Sequence, residues 1–248
     1  IRLAGYQIIA TITDSTASKD PKTGKTSTMV LSNLLADSAK RDVVVQTITD
    51  FVVANNFDGI DLDFENFAYV DGSSSWATTQ VRFIAFMKLL SASLHAKGKL
   101  LSLTSPPLFD PASGKKGYWV YSWADLNSTI DRLRIMTYDY STSNPGPIGP
   151  ITWVEQTVQY AISVIPASKV YVGLPGYGRD WVTAVHGICP SAPINYLSTV
   201  KTTAAAGTIV MRDAAILAST YGATPSYQAK YGETTFTYQK VYNGSTAD

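Results

Sequence analysis

The sequence is poor in the residues that build metal centres and covalent staples. Cys189 is the single cysteine among 248 residues, so no disulfide framework or Cys-rich zinc site can form within the chain. The two histidines, His95 and His186, are too few and too isolated for a His-based metal centre. No apolar run approaches the ~18–20 residues of a membrane helix. Neither sign of charge dominates either: 20 basic against 19 acidic residues leave a net charge of +1. Long runs of one sign are missing too, which argues against a nucleic-acid footprint and against a polybasic membrane patch. Charged residues make up 16% of the chain, below the typical ~25%. Serine and threonine, about a fifth of the residues, take over much of the polar surface. That balance leans towards a secreted protein.

What is present is ample core material, with 45% of residues hydrophobic. The length is that of one large domain, or of one domain with an appendage, and it is also the usual size of an α/β barrel. The chain begins at Ile1, and the expectation is that a preceding segment has been removed. Ala4–Ile12 reads as a strand, followed by a turn-rich stretch from Thr13 to Ser27. Apolar residues near 3.6 spacing predict helices over about Asp37–Asn56 and Thr78–Lys97, the second stopped by Gly98. Strands are predicted at Phe57–Phe64, Lys99–Ser105, Leu133–Tyr140 and Lys169–Pro175. Helices are predicted near Trp123–Ile130 and over Ile151–Ile165. Strands alternating with helices at this spacing argue for βα units and a parallel sheet. Beyond Gly178 the pattern becomes mixed, with a helix near Thr199–Ala206 or Ala214–Ser219 and a β-like stretch at Thr234–Tyr242.

The strongest chemical signal is Asp58-Gly59-Ile60-Asp61-Leu62-Asp63-Phe64-Glu65-Asn66. Alternation along a strand puts Asp61, Asp63 and Glu65 on one face and Ile60, Leu62 and Phe64 on the other. Facing a barrel interior, those like charges lose solvent, which pushes at least one pKa upward. Glu65 falls at the strand's C-terminal end, the catalytic rim of such a barrel. Three other readings compete: a solvated acidic edge strand, a calcium loop, and a carboxylate site for magnesium or manganese. The calcium loop fits poorly, because Asn66 stands where its glycine belongs and Gly72 where its glutamate belongs.

This stretch resembles the Asp-x-x-Asp-x-Asp-x-Glu signature of glycoside hydrolase family 18, the chitinase-type hydrolases. Met136-Thr137-Tyr138-Asp139-Tyr140 resembles the family's sixth-strand motif, and Gly173-Leu174-Pro175-Gly176-Tyr177-Gly178-Arg179 its seventh-strand motif. The three agree in order and spacing across most of Ala4–Trp181. Phe64 followed by Asn66 resembles a bacterial branch that includes spore-cortex and cell-wall hydrolases. The resemblance implies an α/β fold of (β/α)8 TIM-barrel type, incomplete in this chain. About five βα units would occupy residues 1–177, with a small α+β insertion at 178–248. The family's first two strands and its last find no match, so the chain is expected to be part of a longer polypeptide. Otherwise, the missing strands would come from another segment or a second chain. Cys189 would then find its partner in an absent part.

The activity implied is cleavage of β-1,4 bonds in N-acetylglucosamine polymers of the chitin type, with retention. The substrate's own acetamido group serves as nucleophile. Glu65 would protonate the glycosidic oxygen. Asp63 would hold the acetamido N–H, and Asp61 would share a proton with it, so that the two titrate as a pair. Tyr138 would orient the acetamido carbonyl. Met136, Asp139 and Tyr177 would line the sugar pocket, with Arg179 near the sugar or bracing the acids. Alternation puts Met136, Tyr138 and Tyr140 on one strand face. Trp119, Trp123, Trp153 and Trp181 are candidate sugar platforms, Trp181 first among them. No metal and no organic cofactor is implied. The expected ligand is an N-acetylglucosamine oligo- or polysaccharide, with neither nucleic acid nor membrane as partner. Alternatives are a peptidoglycan N-acetylglucosaminidase, and a non-catalytic carbohydrate-binding relative or inactive fragment. Non-catalytic relatives usually lack the acid that Glu65 supplies here.

Overall fold

The computed structural model describes residues 4–14, 28–187, 207–242 and 245–247. Cys189, the candidate helix at Thr199–Ala206 and most of the turn-rich stretch before Ser27 lie outside these residues. The chain forms two compact units, one of residues 1–136 and 157–172, the other of 137–156 and 173–248.

The first unit is built on β1 (Ile9–Thr13), α1 (Val30–Ala36), α2 (Ser38–Ala54), β2 (Gly59–Asp63), α3 (Asn66–Tyr69), α4 (Trp76–His95), β3 (Leu100–Ser105), α5 (Trp123–Leu126) and β4 (Arg132–Ile135). The helix α6 (Ile151–Val164), of which the part from Thr157 belongs to this unit, and β5 (Val170–Val172) follow. All five strands are parallel and lie in the order β1-β2-β3-β4-β5. Sequential order with helical connections is the wall pattern of a TIM-type α/β barrel, here five strands long.

Register explains why this sheet forms. Thr11 lies opposite Asp61, and Asp61 opposite Ser102. The neighbouring positions Ile60, Leu62, Leu101, Leu103 and Leu133 are fully buried on the other face. Burying a side chain of that size stabilises by roughly 1.5–3 kcal/mol. The strands are covered by the stripe Phe83, Phe86, Met87, Leu90 and Leu94 of α4, spaced three and four apart, and by Val45, Ile48 and Val52 of α2. Helix α2 starts where the sequence predicts, because the Asp37 carboxylate accepts from Lys40 N at 3.1 Å. The preceding α1 was not anticipated. Gly98 follows α4 with φ +64°, and Lys99 N bonds back to Leu94 O, a left-handed stop that suits glycine.

The second unit is mixed α and β. It holds β6 (Tyr177–Asp180), β7 (Val185–His186), β8 (Gly207–Val210), α7 (Met211–Thr220), β9 (Ser226–Gln228), β10 (Glu233–Thr235), β11 (Lys240–Tyr242) and β12 (Ser245–Ala247). Antiparallel pairs join β6 to β8 and β9 to β10, while β11, β12 and β7 form a third small sheet. The Glu233 carboxylate gathers the loop before α6, accepting from Ile148 N at 2.9 Å and Gly149 N at 2.6 Å.

The predicted strand Leu133–Tyr140 is shorter than expected. Its ladder ends with Met136 N donating to Ser105 O. Asp139 then adopts φ +58°, and Tyr140 N turns to Ile148 O. The left-handed residue breaks the period of two between Tyr138 and Tyr140, so Tyr140 does not continue the face of Met136 and Tyr138. Tyr140 is exposed and packs against Trp153.

Gly59 is where two strands approach too closely for a side chain. A Cβ there would lie 2.5 Å from Leu100 O and 2.8 Å from Leu100 Cβ. Gly59→Ala is expected to cost about 3 kcal/mol, read as a lower urea midpoint. A midpoint equal to that of the wild type would refute the steric account.

Candidate active site

Strand β2 delivers Asp61 and Asp63 to one face, as alternation predicts. Asp61 is 1% exposed, and its acceptors are occupied by the polar residues that register places beside it. Ser102 Oγ donates to Oδ1 at 2.5 Å. Thr104 Oγ1 and Thr11 Oγ1 donate to Oδ2 at 2.8 and 3.3 Å. Arg134 Nη1 stands 3.4 Å from the same oxygen. Asp63 lies one pleat further out and is supported differently. Its Oδ1 is buried without a hydrogen-bond partner.

Glu65 is not the third rung of the strand. Strand β2 ends at Asp63, and Glu65 is the N-cap of α3, with φ −121° and ψ −33°. The turn is organised by Asp14, which follows β1 and is almost fully buried. Its carboxylate accepts from Glu65 N at 2.6 Å, Asn66 N at 3.0 Å and Phe67 N at 3.1 Å. These amides open a helix and would otherwise lack partners. The Asn66 side-chain amide also donates to Asp14 O. From below, Tyr121 donates to Phe64 O at 2.5 Å. The acid therefore stands on a backbone pinned from two sides.

The electrostatics follow from this packing. Burial pushes the Glu65 carboxyl up, and the negative charges of Asp63 and Asp14 push it further. The Asp63 carboxyl is also raised, first by burial, then by Asp61 and Asp14, with Arg134 opposing. A protonated carboxylic acid at the carboxyl end of a barrel strand, with a desolvated carboxylate beside it, can donate a proton and stabilise developing positive charge.

The later motifs converge within the second unit. Asp139 Oδ1 accepts from Tyr177 Oη at 2.8 Å, Arg179 Nη2 at 2.6 Å and Arg179 Nε at 3.1 Å. The Tyr177 hydroxyl is pushed up to about 12 by burial, then by its bond to Asp139. The Tyr138 ring lies 6.4 Å from that of Tyr177. Trp181 Nε1 donates to Thr142 O. Arg179 and Trp181 border a cavity of about 580 Å³ with Asp180, Glu233, Phe236 and Tyr238.

Within the first unit the structure brings Asp61 and Asp63 together on β2, with Glu65 on the adjoining cap; within the second it groups Tyr138, Asp139, Tyr177 and Arg179. Met136 is half-buried just past β4. Trp123 is no sugar platform: it is fully buried, stacks on Tyr160 and donates to Ser105 Oγ. Trp119 packs edge-on against Tyr160. Sequence reasoning missed Asp14 and Arg134. Asp14, directly after a strand, is a visible signal for a turn carboxylate, and Arg134 alternates with the buried Leu133 and Ile135, which puts it on the strand face opposite them. Among the described residues, no three His, Cys, Asp or Glu side chains form a group that could hold a metal ion.

A sequence profile described as Glycosyl hydrolases family 18 matches residues 23–243. The putative sporulation-specific glycosylase YdhD of Bacillus subtilis is 29% identical over 177 residues, covering 70% of this chain and 38% of YdhD. Its crystal structure superposes with a TM-score of 0.74 at 24% identity, covering 96% of this chain and 70% of that one. The C-terminal domain of a putative chitinase from Desulfitobacterium hafniense gives a TM-score of 0.73 at 26% identity, covering 99% and 66%. The chain spans under half the length of the curated Bacillus relatives it matches, 38% of one and 43% of another.

Two outcomes test the site's construction. Asp14→Ala strips a charged acceptor from three amides and is expected to cost about 2–3 kcal/mol, measured by urea unfolding; an unchanged midpoint would show the turn stands without it. For Asp63, the raised folded pKa means that the native state binds more protons than the unfolded chain, so stability falls as pH rises from the unfolded value through the folded one. Asp63→Asn is therefore expected to raise Tm by about 2 °C at pH 7 and to leave it unchanged at pH 3. An equal change at both values would disprove the electrostatic origin.

Proposed function

The chain belongs to glycosyl hydrolase family 18, and from that premise we propose that it hydrolyses β-1,4 bonds next to N-acetylglucosamine in chitin-type polymers, with retention. The observation that carries this reading is Glu65, whose carboxyl is held protonatable by burial and by Asp63 and Asp14.

Glu65 gives its proton to the glycosidic oxygen as the bond to the anomeric carbon breaks. The carbonyl oxygen of the substrate's acetamido group closes on that carbon from the opposite face, forming an oxazolinium ion. Asp63 accepts the acetamido N–H and stabilises the positive ring, a role for which its buried, unpartnered Oδ1 is suited. Asp61, fixed by Ser102, Thr104 and Thr11, places its negative charge behind Asp63. Water then attacks the anomeric carbon from the side the leaving sugar vacated, losing its proton to Glu65. Two inversions give net retention, and the acid is restored. Tyr138 orients the acetamido carbonyl, while Met136, Asp139, Tyr177, Arg179 and Trp181 hold the sugar. No metal or organic cofactor enters these steps.

Peptidoglycan is the second substrate reading. It is favoured by Phe64-Glu65-Asn66 and by relatives named as a sporulation-specific glycosylase and as a cortical fragment-lytic enzyme. The setting in either case is extracellular or at the cell wall.

The test incubates the protein with N-acetylchitooligosaccharides and with purified peptidoglycan and follows product anomers by NMR. The β-anomer is expected first, and Glu65→Gln is expected to lower kcat by about 10²–10⁴. Undiminished turnover in Glu65→Gln, or first release of the α-anomer, would defeat the mechanism.

A further inference from the structure

Arg134 is a cation set among acids, and the reaction steps above leave it without a role. It lies on β4 between Leu133 and Ile135, which are buried, so alternation turns it to the polar face of the sheet. Arg132 shares that face but is engaged elsewhere. Its guanidinium bonds to Gln7 and lies over the Tyr171 ring at 5.4 Å. Of the two, it is Arg134 that reaches the carboxylates, with Nη1 3.4 Å from Asp61 Oδ2. Its side chain is 53% exposed against 1% for Asp61, and an ion pair with so open a member contributes little to stability. Asp61 also accepts from Ser102, Thr104 and Thr11 without it.

Register locates where its charge falls. Asp61 lies opposite Ser102, and Thr104 lies opposite Arg134. Carried one step past Leu62 and Leu103, the same ladder puts Asp63 level with Thr104 and hence with Arg134. Neighbouring strands lie ~4.8 Å apart, so the backbones of Arg134 and Asp63 are about 10 Å apart across the sheet. Glu65 is two residues further along, past the end of β2 on the cap of α3. The titratable and charged groups facing Asp63 are Asp61 on its own strand, Asp14 after β1, Glu65 on the cap, Arg134 on β4, and the hydroxyls of Tyr69 and Tyr121. Strand β3 presents the uncharged Ser102 and Thr104. Among the described residues of this set, Arg134 is the one cation. Burial, then Asp61 and Asp14, push the Asp63 carboxyl up, and Arg134 opposes them. Glu65 is raised by burial, Asp63 and Asp14, and Arg134 has no part in its balance.

We propose that Arg134 is a positioning residue: its positive charge, set against Asp61 at the level of Asp63, acts on Asp63 and bypasses Glu65, dividing the two carboxyls into a charge-stabilising member and a proton-donating one. The proposal rests on the roles given to Asp63 and Glu65 above. A guanidinium stays charged at any working pH, so the division holds wherever the site operates. Asp63 acts ionised and Glu65 acts protonated. The rate constant kcat/KM therefore rises with pH as Asp63 loses its proton and falls as Glu65 loses its own. Removing the cation disfavours ionised Asp63, which moves the rising limb to higher pH and leaves the falling limb in place.

The experiment measures kcat/KM against pH on N-acetylchitotetraose for the wild type, Arg134→Gln, Arg134→Met and Arg134→Lys, each profile normalised to its own plateau. Carboxyl-carbon NMR follows Asp63 and Glu65 in the same proteins, a titration that needs no turnover and also reports folding. One pH unit below the wild-type midpoint of the rising limb, Arg134→Gln and Arg134→Met are expected to show about 3- to 10-fold less normalised activity. Their falling limb should stay where it is. In both variants the Asp63 carboxyl should titrate at higher pH, by more than any movement of Glu65. Arg134→Lys keeps the charge and should lie within about two-fold of the wild type at that pH. A loss uniform across pH, or an equal shift of both limbs, would reduce Arg134 to a structural residue, and an unmoved Asp63 titration would take its charge out of the site. Either result overturns the proposal and leaves the glycosidase reading standing. A wild type that releases no product overturns the glycosidase reading and, with it, the division assigned to Arg134.

Discussion

Four carboxylates crowd the carboxyl ends of two adjacent parallel strands, and the unequal way they are satisfied governs the chemistry available there. Asp14 is saturated by three backbone amides. Asp61 is saturated by three hydroxyls with an arginine alongside. The field of these two carboxylates falls on the two neighbours that lack comparable support. Asp63 and Glu65 respond with raised pKa values. Well-solvated donors at all four positions would give an acidic patch with ordinary titration. The uneven distribution of donors instead raises the carboxyls of Asp63 and Glu65, the feature on which the proposed acid role of Glu65 rests.

The rest of the first unit serves to hold that arrangement still. Phe67 packs against Phe83 and Tyr121, and Phe64 stacks on Phe86. The cap that carries Glu65 is thus anchored to α4 through its apolar residues and to β1 through Asp14. Gly59, at the other end of β2, lets the strand lie against Leu100 closely enough for Asp61 to meet Ser102 in register. Core packing and site geometry are consequences of the same register.

Much of this was legible in the sequence. The alternation of Asp61 and Asp63 with Ile60 and Leu62 identified both the buried apolar face and the acidic one, and the spacing of apolar residues located α2, α4 and α6. Three features were less accessible. Glu65 was assigned to the strand because alternation carries no signal for where a strand yields to a cap; that boundary depends on Asp14, fifty-one residues earlier. The strand after Leu133 was extended to Tyr140 because a left-handed Asp139 is invisible in an apolar and aromatic run. Trp123 was considered a sugar platform because its burial depends on Tyr160 and Ser105, distant in sequence. Local periodicity reads well within an element and poorly at its ends, where tertiary partners decide.

The amides at the start of a helix ordinarily favour a nearby anion and would make a capping glutamate more acidic. Here a different residue has claimed them. Asp14 takes the three amides that open α3, and its negative charge raises the Glu65 carboxyl. If Glu65 is the acid, its proton affinity is therefore adjustable from Asp14, just past β1, a residue whose carboxylate is already occupied by backbone.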